Sequence, residues 1–182
     1  MKTIYGDGKM RIVTFAMCRM QPPTVGHMNV VDTLHYSPGD QILFLSQKQD
    51  SKDNPLSFAV RKEFLRYKYF NLNILPASNL FSCLELLKGD YDIVNIVCGS
   101  DRYVEYHKFK KYESDLGYFI NIIQCESDSR DKVSGTMLRN AVINNEKDQF
   151  IKLCMFDNYR SEQLYDLMRG LLCDSSFRDK CK

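Results

Sequence analysis

Cys18-Arg19-Met20-Gln21-Pro22-Pro23-Thr24-Val25-Gly26-His27 is the stretch whose reading decides the fold. Upstream, Arg11-Ile12-Val13-Thr14-Phe15-Ala16-Met17 is an apolar run that predicts a buried first strand. Downstream, residues 28–34 predict the start of a helix. Two consecutive prolines fix an extended turn and remove two backbone donors. Gly26 lets the backbone come close to whatever binds there. His27 falls in the first helical turn, where free N–H groups and the helix dipole favour an anion. Together these residues predict a phosphate site containing a hydrogen-bond donor or a proton carrier. The same pattern also suits an ordinary strand-to-helix loop with a structural histidine, so the rest of the chain has to decide.

Working outward, Tyr5-Gly6-Asp7-Gly8 reads as a turn before the first strand; it does not join a strand to a helix, which discounts it as a phosphate loop. Ser37-Pro38-Gly39-Asp40 breaks the first helix, and residues 41–46 predict a second strand. The polar stretch 47–55 stands beyond that strand's carboxyl end, where open α/β sheets place their ligands. Ser57 predicts an N-cap for a helix turning Phe58, Val60, Phe64, Leu65 and Tyr69 inward, with Arg61 near its start. Residues 73–75 predict a short strand, and 80–87 a helix ended by Gly89. Ile93-Val94-Asn95-Ile96-Val97-Cys98 predicts an interior strand that stops at Gly99-Ser100-Asp101, followed by a charged helix to about 112. Residues 118–123 predict the last strand. A polar loop, 126–132, leads to a helix opened by Val133-Ser134-Gly135-Thr136-Met137-Leu138-Arg139. Apolar positions from Phe150 to Leu172 predict two closing helices, with a frayed tail from Asp174. Alternating strands and helices predict an α/β fold, with a mostly parallel five-stranded sheet and helices on both faces. A single domain is expected over 1–182, its core about 10–145 and a helical extension about 146–173.

Composition excludes several classes. Apolar residues make up 44% of 182, as in globular chains rather than disordered ones. The net charge is only +2 with signs interspersed, which speaks against nucleic acid as a partner. Seven cysteines without a Cys-x-x-Cys pair predict reduced thiols in a cytoplasmic setting. The three histidines show no zinc spacing, so no protein-held metal is expected. No apolar run is long enough to span a membrane, and no signal peptide precedes Arg11.

Ser134-Gly135-Thr136 at a predicted helix start is a second anion cradle, with Arg139 about one turn later on the same face. Alone it also fits an N-cap serine and a surface arginine. Two cradles at one sheet edge, however, can hold opposite ends of a triphosphate, which points to nucleotide chemistry.

At these residues the chain resembles a known superfamily. The first stretch is similar to the (His/Thr)-x-Gly-His signature of the nucleotidylyltransferases, and residues 134–139 resemble their Ile-Ser-Gly-Thr-x-x-Arg signature. Residues 18–27, 45–56 and 99–102, with Leu164-Tyr165-Asp166 and Met168-Arg169-Gly170, resemble the small nucleotidyltransferase-like proteins of tailed bacteriophages. Archaeal-type nicotinamide mononucleotide adenylyltransferases share the Arg-x-Gln-Pro and Asn-Pro elements more distantly. Cys18 stands where those patterns carry glycine, and Met20 where they carry an aromatic.

The resemblance implies a Rossmann-like, doubly wound fold. It also implies transfer of a nucleoside monophosphate, AMP from ATP in the favoured case, to a phosphorylated or anionic small molecule, with release of pyrophosphate. The acceptor's own oxyanion would attack, so no protein nucleophile is needed, and catalysis would be positioning plus charge stabilisation. On this basis His27 and Thr24 are expected at the α- and β-phosphates, and Arg139 with Ser134, Gly135 and Thr136 at the β/γ end. Gly99 and Asp101 are expected at the nucleoside, with Met17 and Gly26 also in the nucleotide site. Arg19 and Gln21 are expected at the acceptor, with Lys48, Asn54 and Arg61 as further substrate contacts. Mg²⁺ would ride on the NTP phosphates. CTP as donor, a nucleotide-binding phage protein that has lost turnover, and a homo-oligomer all stay open.

Overall fold

The structure is a computed structural model that describes residues 10–126 and 128–173. The turn expected at residues 5–8 and the tail expected from 174 lie outside the described residues. Five strands form one sheet: β1 (Ile12–Cys18), β2 (Asp40–Ser46), β3 (Asn73–Ala77), β4 (Ile93–Cys98) and β5 (Phe119–Gln124). Their order is β3-β2-β1-β4-β5, and every pairing is parallel. The expected α/β fold is therefore observed, with a sheet that is wholly rather than mostly parallel.

The central strands β1, β2 and β4 are apolar because they are covered on both sides, while the edge strands β3 and β5 keep exposed positions. Alternation along β1 splits its residues between two cores. Ala16 joins the core under helices α1 (Gly26–His35) and α2 (Phe58–Lys68), while Val13 and Phe15 join the core under α3 (Leu80–Leu86). The first core also takes the closing helices, α6 (Gly135–Ile143), α7 (Lys147–Leu153) and α8 (Asn158–Leu172), through Leu138, Phe150, Leu164 and Met168. The predicted charged helix after β4 is instead α4 (Ser100–His107), a 3₁₀ segment over Lys108–Tyr112, and the short α5 (Glu113–Leu116). One polar thread crosses the sheet at register-paired positions: Asn121 donates to Asn95, and Asn95 to Thr14, at 3.1 Å each. Cys173 is disulfide-bonded, which departs from the expectation of reduced thiols throughout; Cys18, Cys83, Cys98, Cys125 and Cys154 are free. Among the described residues no helix is long and apolar enough to cross a membrane.

The connectivity positions the site. From β1 the chain winds outward to β3, then crosses back to place β4 on β1's other side. Loops leaving β1 and β4 therefore part in opposite directions, and a crevice opens between their carboxyl ends.

Candidate active site

A cleft of about 620 Å³ occupies that crevice. Eight expected residues line it: Met17, Arg19, Thr24, Gly26 and His27 from the β1–α1 region, Lys48 after β2, and Gly99 and Asp101 after β4.

His27 is the best-defined group. The backbone N–H of Thr24 donates to its Nδ1 at 3.0 Å, and the Thr24 hydroxyl lies 2.8 Å from the same atom and 3.1 Å from the Val133 carbonyl. Because Nδ1 accepts an N–H, the neutral ring carries its proton on Nε2. Burial pushes the imidazole pKa down to about 4, against a smaller opposing pull from Thr24, so the ring is neutral near pH 7. Nε2–H has no partner among the described residues and belongs to a cleft-lining side chain. The ring is thus a fixed hydrogen-bond donor rather than a base. Thr24 is fully buried, and its backbone bridges to Cys154 while Val25 N–H donates to the Leu153 carbonyl. The end of α7 thereby braces the loop that orients His27.

The glycine of this motif works differently from expectation. A Cβ on Gly26 would lie 2.7 Å from the Arg130 carbonyl oxygen and 3.0 Å from that of Val133. What Gly26 admits is the chain's own 130–133 backbone.

Three residues expected to contact substrate, Gln21, Asn54 and Arg61, are not among the residues lining the cleft. Gln21 is 2% exposed, and its amide exchanges two hydrogen bonds with the backbone of Leu56, at 2.6 and 2.9 Å. Asn54 is fully buried; its side-chain amide donates to Asp50, whose other oxygen accepts the backbone N–H groups of Lys52, Asp53 and Asn54. Those bonds, the Asn54 amide first, hold the Asp50 carboxyl well below its usual range. Arg61 is 1% exposed and donates to the carbonyls of Arg19 (2.6 Å), Ser46 (2.7 Å) and Ser57 (3.3 Å). Gln21 and Arg61 thus spend their polar groups on holding loops of the chain, whereas Asn54 Oδ1 is buried with no hydrogen-bond partner among the described residues. Arg61 also has a field effect. Carbonyl oxygens at a strand's carboxyl end repel phosphate, and Arg61 offsets the partial negative charge of two of them, on the exits of β1 and β2. No carboxylate pairs with it among the described residues, and burial lowers its pKa only to about 10, so its charge persists.

The second cradle is also built into the scaffold. Ser134 caps α6 by accepting from Met137 N–H. A Cβ on Gly135 would sit 2.7 Å from the Gln21 carbonyl oxygen. Arg139, 9% exposed, donates to Gln21 O at 2.5 Å, to Thr136 Oγ1 at 3.0 Å and to Asp53 Oδ1 at 3.3 Å. Ser134, Gly135, Thr136 and Arg139 are not among the residues lining the cleft.

Arg19 and Lys48 bring positive charge to the cleft, and neither has an ion-pair partner among the described residues. Arg102 lines it too, paired with Asp101 at 3.4 Å and Glu105 at 2.9 Å, all well exposed. Such exposed pairs hold little energy and leave Arg102 available. Cys18 and Cys125 lie at the cleft, and burial, with Cys125 adding to it, raises the Cys18 thiol to about 12. A neutral thiol there is no nucleophile. Ser46, Ser78, Asn79, Arg102 and Tyr106 are cleft residues that the sequence reading missed. Ending β3 at 75 rather than Ala77 hid Ser78 and Asn79, which stand just past a strand's carboxyl end.

The fold and its crevice define a Rossmann-like α/β protein with a ligand-sized cleft at the switch point. No family model and no curated protein matches the sequence. Among solved structures, the chain is similar to Plasmodium falciparum nicotinic acid mononucleotide adenylyltransferase complexed with NaAD, with TM-score 0.60, 13% identity, and coverage of 91% of this chain and 99% of that one. It is also similar to Thermotoga maritima TmcAL bound with alpha-thio ATP, with TM-score 0.55, 12% identity, and coverage of 89% of this chain but 57% of that one. A second Plasmodium falciparum complex of the adenylyltransferase, with APC, gives TM-score 0.55 at 15% identity, covering 87% of this chain and 97% of that one. At these identities the likeness is one of fold.

Proposed function

We propose that this chain is a nucleotidyltransferase that moves a nucleoside monophosphate, AMP from ATP, to a phosphorylated or otherwise anionic small molecule and releases pyrophosphate. The observation that carries the reading is His27: a neutral imidazole of fixed tautomer, with its Nε2–H on a cleft supplied with unpaired Arg19 and Lys48. Adenylyltransferases and an ATP-analogue complex among the fold neighbours support the reading and favour ATP over CTP. The phage-type motifs belong to the same reading, which would place the protein in the host cytoplasm.

In the proposed step an acceptor phosphate oxygen forms a bond to the α-phosphorus. The α–β bridging P–O bond breaks, and pyrophosphate leaves with the electron pair. No proton has to move, which suits a site holding a donor and no base. His27 Nε2–H would stabilise charge on the transferring phosphate, and Arg19, Lys48 and Arg102 would hold the charged ends in line. Orientation of this kind can supply roughly 7–11 kcal/mol of the barrier. Among the described residues no group of three or more His, Cys, Asp or Glu could hold a metal ion, and Asp101 is the one carboxylate lining the cleft. In this reading Mg²⁺ would enter on the phosphates of the NTP substrate.

The test is pyrophosphate release with each NTP and Mg²⁺ across a panel of phosphorylated metabolites. Turnover with at least one acceptor, lost in His27→Ala, is expected. NTP binding without pyrophosphate from any acceptor would replace the enzyme with a nucleotide-binding accessory protein.

A further inference from the structure

The cleft has two chemically unlike halves. On the β1, β4 and β5 side Met17, Cys18, Val30, Tyr106, Cys125 and Val133 form an apolar wall with one aromatic ring, beside the charged Asp101 and Arg102 at the β4 exit. That surface can cover the face of a nucleoside base. On the β2 and β3 side the lining is Ser46, Lys48, Ser78 and Asn79, with Arg19 at the junction. Among the described residues this side offers an ammonium, a guanidinium, a carboxamide and hydroxyls rather than rings or aliphatic side chains; the Ser78 hydroxyl donates to Gln47 Oε1 at 3.2 Å and keeps its oxygen as an acceptor. Asn79 uses its side-chain oxygen to cap α3, which leaves its NH₂ group without a partner among the described residues. Ser46 Oγ is buried with no hydrogen-bond partner among the described residues, an unsatisfied polar atom in this half. Arg61, buried beneath, donates to the Ser46 and Arg19 carbonyls and adds a positive charge with no ion-pair partner among the described residues.

From this division we infer the acceptor's class, an inference that rests on the nucleotidyltransferase reading. The acceptor is a phosphate monoester of a small polyhydroxylated compound, a sugar or polyol phosphate, and not a mononucleotide carrying an aromatic base. A flat base seated against Lys48, Ser78 and Asn79 would lose water without gaining apolar or stacking contact. A polyol would replace its water hydrogen bonds with those of Ser78 and Asn79. Its phosphate dianion would lie between Lys48 and Arg19 with one oxygen toward the donor's α-phosphorus. That oxygen forms the new P–O bond as the α–β bridging bond breaks, so the product is a nucleoside diphosphate-linked polyol plus pyrophosphate.

The experiment measures pyrophosphate release with ATP or CTP and Mg²⁺ in three acceptor arms: sugar and polyol phosphates, base-bearing mononucleotides, and unphosphorylated polyols. The expected result is kcat/KM higher by roughly tenfold or more in the first arm than in either other, since a site built around hydroxyl partners rejects ligands lacking them. Lys48→Ala should raise the acceptor's KM roughly ten- to a hundredfold with the NTP's KM unchanged, and Lys48→Arg should restore most of it. Preference for mononucleotides, or a Lys48→Ala effect on the NTP's KM alone, overturns the acceptor class while nucleotidyl transfer stands. Absence of pyrophosphate in every arm, with NTP binding intact by calorimetry, overturns both.

Discussion

The two stretches that resemble anion cradles, residues 18–27 and 134–139, end in opposite states. The first keeps one polar group uncommitted: His27 is fixed through Nδ1, and its Nε2–H is left for a ligand. The second commits its side chains to the chain. Ser134 caps α6, Thr136 accepts from Arg139, and Arg139 holds Gln21 O and Asp53. The contact at Gln21 O joins the two, so the second stretch is the buttress of the first. Free N–H groups at a helix start are a capacity for anion binding; tertiary contacts decide whether it is used.

The sharpest break of that contrast is His27→Ala. Removing one preorganised donor to the transferring phosphate should cost about 10²–10³ in turnover. The Thr24 N–H loses its acceptor, so the melting temperature should fall modestly as well. Unchanged turnover would put His27 alongside Arg139 as scaffold. Acid stability gives a second check. The folded-state pKa of about 4 lies below the ordinary 6.5, so the unfolded chain takes up the proton first as pH falls. The stability held above pH 6.5 should decline between 6.5 and about 4 in the wild type, and His27→Ala should flatten that slope in denaturant titrations followed by circular dichroism.

Much of this was legible before any coordinates. Strand–helix alternation set by period-2 and period-3.6 patterning predicted the sheet, and the position of residues 18–27 between strand and helix predicted the crevice. Less legible is how the polar residues near it are held. Gln21 and Arg61 have the right chemistry for phosphate or hydroxyl groups, but backbone carbonyls and N–H groups 15 to 42 residues away in the chain compete for them. No local pattern records such long-range partners. Ser78 and Asn79 were missed for a smaller reason: Pro76 sits in edge strand β3, and a proline in a short run truncates the predicted strand.

The next effect in size concerns the buttress contact itself. Gly26→Ala and Gly135→Ala each place a Cβ 2.7 Å from a backbone carbonyl oxygen, of Arg130 and Gln21 respectively. Both should destabilise by about 1–3 kcal/mol in urea titrations, as overpacking does. If the glycines served only a bound phosphate, stability would be unchanged and affinity alone would fall.

Asp53 tests whether the second cradle is closed or merely occupied. Its carboxylate, about half exposed, is the one ion-pair partner of Arg139 among the described residues. Arg139→Ala should lower the melting temperature because Gln21 O loses a buried donor. Asp53→Asn keeps the backbone bond to Asp50 and removes the competing charge. If Arg139 is a seat for the β/γ end of the triphosphate, Asp53→Asn should tighten ATP binding by a few-fold and leave AMP binding unchanged, measured by calorimetry. Equal behaviour of the two ligands would leave Arg139 wholly structural.

Cys18 should give the smallest effect. Glycine at this position in related patterns suggests a backbone demand, yet Cys18 ends β1 in register with Leu45, and Met20 and Asn145 are the non-glycine residues with positive φ among those described. Its thiol is neutral because burial raises its pKa to about 12, so no charge is lost on removing it. Cys18→Gly therefore gains no conformational relief and costs only chain entropy and a small side chain, about 1 kcal/mol in thermal melts. NTP affinity should be equal or slightly better, since the absent Cβ opens the cleft floor without touching His27. A large fall in turnover on Cys18→Gly, with the melting temperature near wild type, would give the thiol a part in the chemistry and would contradict a site that works by donor and cation placement alone.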